Sequence, residues 1–225
     1  MNTYIYWHIC ELNDWKKIVI EQYNNLLKSN ILNIIDKVFI TFLGKDKNNI
    51  QFLLDLNNKF VLDQFSTNLK HYERLCLTSL YENAINNETS FNVLYFHAKG
   101  VSRLGKEYEY VQNWRRKLEE KLIFNYSECL NLLNEYDVLG CYLTHIGNQA
   151  QILNETHRYH FSGNFWWSKS DYIKKLPSLK HIDLNIPNNY YLLERWILHP
   201  YPEVKFLEIY QDPQKRTHFY NADPL

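Results

Sequence analysis

Two short apolar runs, YIYWHI at residues 4–9 and VFITFL at residues 38–43, indicate the fold class of this 225-residue chain. Both runs are rich in aromatic and β-branched residues, which favour strands. Between them, Asn13 or Asp14 can cap a helix whose apolar residues recur at helical spacing over residues 15–27. A strand, a helix and a second strand at this spacing predict a βαβ unit, and therefore a parallel sheet covered by helices.

The rest of the chain extends this pattern. Further strands are predicted at residues 91–96, 138–143 and 204–210, and further helices at 72–84, 111–133, 171–176 and 190–198. Residues 45–68 carry no clear pattern. We find no internal repeat and no linker. The sequence therefore predicts a single α/β domain over residues 1–225, with a mostly parallel central sheet flanked by helices.

Composition excludes several classes of protein. A hydrophobic content of 45% with only six glycines and six prolines is not that of a disordered or collagen-like chain. The 25 basic and 25 acidic side chains give zero net charge, which argues against nucleic-acid binding by bulk electrostatics. The basic run at residues 115–117 is followed by Glu119 and Glu120, an alternation typical of a solvated helix face.

The sequence also predicts a cytoplasmic protein. None of the four cysteines has CxxC spacing, which favours buried thiols in a reducing compartment. Residues 1–10 lack the features of a signal peptide. Polar residues interrupt the most apolar stretch, residues 31–43, which falls short of the ~20 apolar residues of a membrane span. We therefore expect no transmembrane anchor.

The first candidate site is HAKGVSR at residues 97–103, directly after a predicted strand. Ligands of open α/β sheets bind beyond the carboxyl ends of the strands. Lys99 supplies a point charge for a phosphate, Gly100 lets the backbone approach closely, and Arg103 can bind two oxygens at once. The alternative is an ordinary exposed turn.

The second candidate is HFSGNFWW at residues 160–167. Aromatic faces beside amide and hydroxyl groups suit a sugar, whose C–H faces stack on rings. Alternatively, Phe165 and Trp167 point into the core along a strand while Trp166 is half-buried. Both interpretations can hold, because neighbouring residues of a strand face opposite sides.

The third candidate is the Glu194-Arg195-Trp196 segment. A partly buried carboxylate beside an arginine can act as a general base, although a solvated salt bridge explains the segment equally well. Asp137 is a weaker carboxylate candidate. His157 and His160 have a spacing that allows a metal pair, but no third ligand is near them in the sequence.

Taken together, these segments resemble a family of glycosyltransferase-like proteins with the GT-A (nucleotide-diphospho-sugar transferase) fold. The family is found in bacterial polysaccharide clusters and large DNA viruses. The matching pieces after the opening strand and helix are HYERLCLTSLYENA (71–84), NVLYFHAKGVS (92–102), VQNWRRKLEE (111–120), YDVLG (136–140), HFSGNFWWSKSDYIKKLP (160–177) and ERW (194–196). If the chain is viral, the expected location is the host cytoplasm.

The resemblance implies a role for each segment. The residues implied at the donor site are His8, Arg74, His97, Lys99, Gly100 and Arg103. Those implied around the sugar and acceptor are His160, Gly163, Asn164 and Trp166. Lys99 and Glu194 are the implied catalytic residues, with Glu194 as the base if the reaction inverts the anomeric carbon; retention would not need it.

One departure from the GT-A pattern concerns the metal. GT-A enzymes hold a divalent cation, Mn²⁺ or Mg²⁺, on an Asp-x-Asp motif, whereas this chain has His97-Ala98-Lys99 there. We expect Lys99, with Arg103, to take over part of the role of the metal in stabilising the leaving diphosphate.

Two functions remain open at the level of sequence. The first is a hexosyltransferase-type glycosyltransferase that moves a sugar from a nucleotide-diphosphate donor to a glycan or glycoprotein acceptor. The alternative is a catalytically silent relative that binds a nucleotide sugar or glycan. A nucleic-acid partner is not expected.

Overall fold

The computed structural model describes residues 1–145, 159–186, 189–199 and 203–211. The strands in these ranges are β1 (Asn2–Cys10), β2 (Lys37–Leu43), β3 (Phe60–Ser66), β4 (Phe91–His97), β5 (Val138–Cys141), β6 (Leu143–His145), β7 (Tyr159–Phe161), β8 (Trp166–Lys169) and β9 (Phe206–Tyr210). The α-helices are α1 (Trp15–Lys28), α2 (Gln51–Leu54), α3 (Arg74–Asn86), α4 (Lys106–Glu119), α5 (Tyr126–Leu132), α6 (Ser170–Ile173) and α7 (Tyr191–Arg195).

Seven of these strands form one twisted sheet in the order β3-β2-β1-β4-β8-β5-β9. β1 pairs in parallel with β2 and β4, β2 with β3, and β5 with β9. Only β8 is antiparallel to its neighbours, β4 and β5, among the described strands of this sheet. The predicted fold class, a mixed α/β protein with a mostly parallel sheet flanked by helices, is confirmed.

Helices cover both faces of the sheet. Trp7 of β1 and Trp167 of β8 are fully buried in the cluster that α1 and α4 cover. Their chain neighbours Tyr6 and Trp166 are buried on the other face, with side chains of α3 and α6. Adjacent residues of a strand point to opposite faces, so each of these aromatic pairs contributes to both cores.

The structure differs from the sequence prediction in three places. β3 was not expected in residues 45–68, because six of its seven residues are only partly buried or exposed at the sheet edge and show no clear alternation. The long helix predicted over residues 111–133 is interrupted by a π-helical segment, Glu120–Phe124. The predicted strand 138–143 breaks at Tyr142, whose φ of 54° separates β5 from β6.

The predicted solvated face at residues 115–120 is wrong for two of its charges. Arg115 and Glu119 are fully buried, and Arg115 Nη1 donates to Glu119 Oε1 at 2.7 Å. A second carboxylate, that of Glu21 on α1, accepts from Arg115 Nη2 at 2.7 Å. The alternation of charges therefore reflects ion pairing between α1 and α4 as well as contact with water.

None of the helices in the described ranges is long and apolar enough to cross a lipid bilayer. Residues 146–158, which include His157, lie outside the described residues.

The close contact between Gly140 of β5 and the Phe161 ring can be tested by substitution. A Cβ atom on Gly140 would lie 2.3 Å from Cγ of the Phe161 ring, so Gly140→Ala forces a buried aromatic side chain to move. We expect a loss of about 1–3 kcal/mol in the free energy of unfolding, measured by urea denaturation.

A double-mutant cycle with Phe161→Leu identifies the cause. The penalty of Gly140→Ala should shrink when the ring is absent, because the collision is then relieved. Additive effects of the two substitutions would show that the ring is not what excludes a side chain at residue 140.

Candidate active site at the carboxyl edge of the sheet

The candidate site lies where the strand order reverses. From β1 the chain continues outward to β2 and β3 on one side, whereas β4 pairs with the other side of β1. His8 and His97, near or at the ends of β1 and β4, are paired in register, and the Ala98 N–H donates to the His8 carbonyl at 2.9 Å. Crevices at such a reversal, beyond the carboxyl ends of the strands, are where open α/β sheets bind ligands.

The imidazole of His97 is fixed from two sides. Its Nε2 donates to the Gly163 carbonyl at 2.9 Å, which ties β4 to the turn before β8. Its Nδ1 lies 3.2 Å from Oε1 of Glu73, the residue that precedes α3. These two contacts set the orientation of the His97 ring.

Glu73 is the residue of the site that the sequence analysis did not identify. Its Oε2 accepts from the Tyr95 hydroxyl at 2.8 Å and from the Asn164 amide. The Glu73 carboxylate therefore contacts three side chains, those of Tyr95 and His97 on β4 and that of Asn164 before β8. The signal was present in the segment 71–84, where Glu73 stands beside Arg74, the residue chosen for the donor site.

The turn before β8 contributes a short, buried polar segment beside His97 and Glu73. Gly163 and Asn164 have left-handed φ angles of 99° and 51°. The Trp166 indole donates to Asn164 Oδ1 at 2.9 Å and stacks on Tyr95 with ring centroids 4.9 Å apart. Asn164 is thus oriented through its oxygen by Trp166 and through its nitrogen by Glu73.

Trp166 itself is fully buried, with 0% of its surface exposed, so the half-buried position considered from sequence is wrong. In this structure its ring offers no exposed face on which a sugar can stack. The contribution of Trp166 to the site is the orientation of Asn164.

The side chain of Lys99 passes over Gly163 to an aromatic ring. Its Nζ lies 4.0 Å from the centroid of the Trp114 ring, a cation–π distance. A Cβ atom on Gly163 would lie 3.5 Å from Lys99 Cε and 2.6 Å from Leu118 Cδ1. Glycine at residue 163 therefore allows both the left-handed backbone and the close packing beneath the lysine.

Charges of both signs meet at Lys99 and Glu194. Burial lowers the pKa of Lys99, while the nearby carboxylates of Glu194 and Glu73 oppose that shift. Burial and repulsion from Glu73 raise the pKa of Glu194 to about 7, against the attraction of Lys99 and Arg195. A carboxyl group with a pKa near neutrality can both accept and release a proton at physiological pH.

Two further histidines are uncharged in this environment. Burial lowers the pKa of His8 to about 4, and burial with the charges of Arg195 and Lys99 lowers that of His160 to about 3. His8 Nδ1 is buried without a hydrogen-bond partner among the described residues. At neutral pH both rings act as hydrogen-bonding groups and not as cations.

Three of the candidates from the sequence lie apart from this cluster or at its margin. Arg74 donates to the Ile182 carbonyl at 2.9 Å and contacts the His71 ring. Arg103 is exposed and pairs with Glu107, although its charge still lowers the pKa of Lys99. Asp137 precedes β5 and therefore lies at the opposite edge of the sheet.

The residues at the position of an Asp-x-Asp motif do not fit a divalent cation. Both ring nitrogens of His97 have protein partners, and the Lys99 ammonium repels a metal ion. Within the described ranges, no three His, Cys, Asp or Glu side chains are grouped as metal ligands. We therefore assign no step of a reaction to a metal at this position.

Comparison with known proteins adds a family and two similar folds. The family model described as a domain of unknown function, DUF8361, matches residues 2–204. No curated protein sequence matches the chain. The crystal structure of HddC from Yersinia pseudotuberculosis has a TM-score of 0.48 and 8% identity, over 94% of this chain and 91% of HddC. The 4-diphosphocytidyl-2C-methyl-D-erythritol synthase of Anaerococcus prevotii DSM 20548 has a TM-score of 0.48 and 11% identity, over 95% of this chain and 88% of the synthase.

The raised pKa of Glu194 predicts a pH-dependent stability. The carboxyl titrates near 4.5 when unfolded and near 7 when folded, so the folded state loses stability as the pH rises through this interval. Glu194→Gln removes the titration. Its free energy of unfolding relative to wild type should therefore increase between pH 5 and pH 8, by about 1–3 kcal/mol.

Urea denaturation at several pH values measures this difference, with exposed Glu88→Gln as the control. The control should show no such trend, because an exposed carboxyl is solvated in both states. Parallel stability curves for wild type and Glu194→Gln would contradict the burial and the repulsion that we assign to Glu194.

Proposed function

We propose that this chain, which belongs to the DUF8361 family, is a transferase that binds a nucleotide-diphosphate sugar beyond the carboxyl ends of β1 and β4. It moves the sugar to a hydroxyl group of a glycan or glycoprotein acceptor. The observation that carries this proposal is the position of Lys99 just after β4, at the carboxyl edge of the sheet, with its Nζ 4.0 Å from the centroid of the Trp114 ring. Lys99 and the Glu194 carboxyl each shift the pKa of the other toward its charged form. Such a pair combines a group that binds a diphosphate with a group that accepts a proton.

Lys99 is proposed to bind the diphosphate of the donor. Gly100, with a φ of 93°, turns the backbone directly after this residue. Partial burial strengthens the attraction between the ammonium and a developing phosphate charge, because less water screens it. Arg103, exposed at the margin, adds positive charge where the nucleotide would enter.

Glu194 is proposed as the general base of an inverting transfer. The acceptor oxygen forms a bond with the anomeric carbon while the bond from that carbon to the diphosphate oxygen breaks. The bonding electrons leave with the diphosphate, whose added charge Lys99 offsets, and the acceptor proton passes to Glu194. His160, Gly163 and Asn164 line the proposed sugar-binding side.

Nucleotide binding is the first test. We expect UDP, GDP, ADP or dTDP, or a matching nucleotide sugar, to raise the unfolding temperature in the presence of EDTA. A ligand at a hundred times its dissociation constant stabilises the folded state by about 2.7 kcal/mol. The rise should be lost in Lys99→Met and retained in the control Lys17→Met, which removes an exposed lysine of α1.

Stabilisation that requires Mn²⁺ would contradict the assignment of the role of the metal to Lys99. No stabilisation by any of these nucleotides would contradict the proposed donor site.

Turnover is the second test. Glu194→Gln should reduce sugar transfer by about 10²–10⁴-fold, because the general base is lost. Binding of the nucleotide diphosphate should persist, because the substitution removes only a negative charge. A wild-type protein that binds a donor but transfers no sugar to any glycan acceptor would instead be a nucleotide-sugar-binding protein.

A further inference from the structure

The turn that carries Lys99 is held from beneath by the amide side chains of three residues. Gln22 Nε2 of α1 donates to the His97 carbonyl at 3.0 Å, and Asn13 Nδ2 donates to the Val101 carbonyl at 2.7 Å. Gln112 of α4 packs under Gly100, where a Cβ atom would lie 2.5 Å from Gln112 Nε2. The backbone from residue 97 to residue 101 is therefore anchored at both ends and supported in the middle.

The contact with Gln22 reaches Lys99 through one carbonyl group. The His97 carbonyl accepts from Gln22 Nε2 and also from the backbone N–H of Lys99, at 2.7 Å. Gln22 thus fixes the group to which the Lys99 backbone is bonded.

Gln22 itself has no freedom to rotate. Its Oε1 accepts from the Trp7 indole at 3.1 Å, and its Nε2 also donates to Glu119 Oε1 at 3.0 Å. The same carboxylate pairs with Arg115, whose Nε donates to Gln112 Oε1 at 3.0 Å. One buried ion pair therefore orients both Gln22 and Gln112.

Stability is a weak explanation for this ion pair. The desolvation of two fully buried charges offsets much of their attraction, and apolar replacements of such pairs are often neutral or stabilising. What the pair provides beyond stability is one fixed orientation for the amides that contact the turn.

We propose that Gln22 and Asn13 are positioning residues that set the place of the Lys99 ammonium in the site, with Gln22 oriented by the Arg115–Glu119 pair. The consequence for diphosphate binding rests on the proposed function, whereas the position of Lys99 does not. The groups that act on Lys99 from other elements are Glu73, Glu194, Arg103 and His160.

The test measures the titration of Lys99 itself. In protein labelled with ¹³C at the lysine Cε, the Lys99 resonance is identified by its loss in Lys99→Met. Its midpoint should lie below those of the other lysines, because the side chain is buried. In Gln22→Met the turn loosens, and the midpoint should rise toward the ordinary lysine value of about 10.4. Asn13→Gly, which suits the φ of 46° at that residue and leaves the ion pair intact, should cause a smaller rise.

Asn25→Leu is the matched control. Asn25 Nδ2 donates to Glu119 Oε2 at 2.7 Å, so the substitution removes an amide from the same carboxylate, while the contacts of Gln22 and Asn13 with the turn remain. It should lower the unfolding temperature and leave the midpoint of Lys99 unchanged. If neither Gln22→Met nor Asn13→Gly moves the midpoint, or if Asn25→Leu moves it equally, the proposal is wrong.

A binding measurement separates this inference from the proposed function. The nucleotide that stabilises the wild type should bind to Gln22→Met about tenfold more weakly, an effect of about 1.4 kcal/mol. Its affinity for Asn25→Leu should be unchanged. If the wild type binds no nucleotide, the proposed function fails, and the titration of Lys99 still decides whether these amides position it. Unchanged nucleotide affinity in Gln22→Met, beside a normal wild-type affinity, would overturn the link to diphosphate binding.

Discussion

The buried ion pair between Arg115 and Glu119 is the interaction on which the geometry of the crevice depends. Two opposite charges with no exposed surface are costly to remove from water, and loss of either partner leaves the other uncompensated. The pair is satisfied only while α1 and α4 keep their present positions, because Glu21 and Gln22 complete its hydrogen bonds. Through Gln22, that constraint reaches the end of β4 and the turn after it.

The protonation states of the candidate site follow from the burial of its ionisable side chains and from the charges that they exert on one another. Lys99 and Glu194 each shift the pKa of the other toward its charged form, while burial opposes ionisation of both. His8 and His160 remain neutral beside them because burial disfavours further charge. The result is a site with one lysine, a carboxyl that titrates near neutrality and uncharged imidazoles around them, which suits the binding of an anion followed by a proton transfer.

The sequence indicated the segments of the candidate site more completely than the contacts that each of their residues makes. The segments HAKG and SGN meet in the structure through the bond between His97 and Gly163. Glu73 was missed because a carboxylate before a helix looks like any exposed helix start until its partners, Tyr95 and Asn164, arrive from distant parts of the chain. The sequence interpretation of Trp166 as half-buried is wrong because strand alternation does not reveal that helices cover both faces of its strand.

The sequence by itself determined the class of the fold, because the periods of apolar residues are local and separate strands from helices before any tertiary contact forms. It also indicated the turns of the candidate site, since charged and small residues follow the predicted strands directly. Only the tertiary structure decided the strand order, and with it the reversal between β1 and β4 that brings His8 beside His97. It also decided that Arg115 and Glu119 are buried and that Glu194 titrates near neutrality. Burial and charge pairing depend on residues far apart in the chain, and local patterns do not encode them.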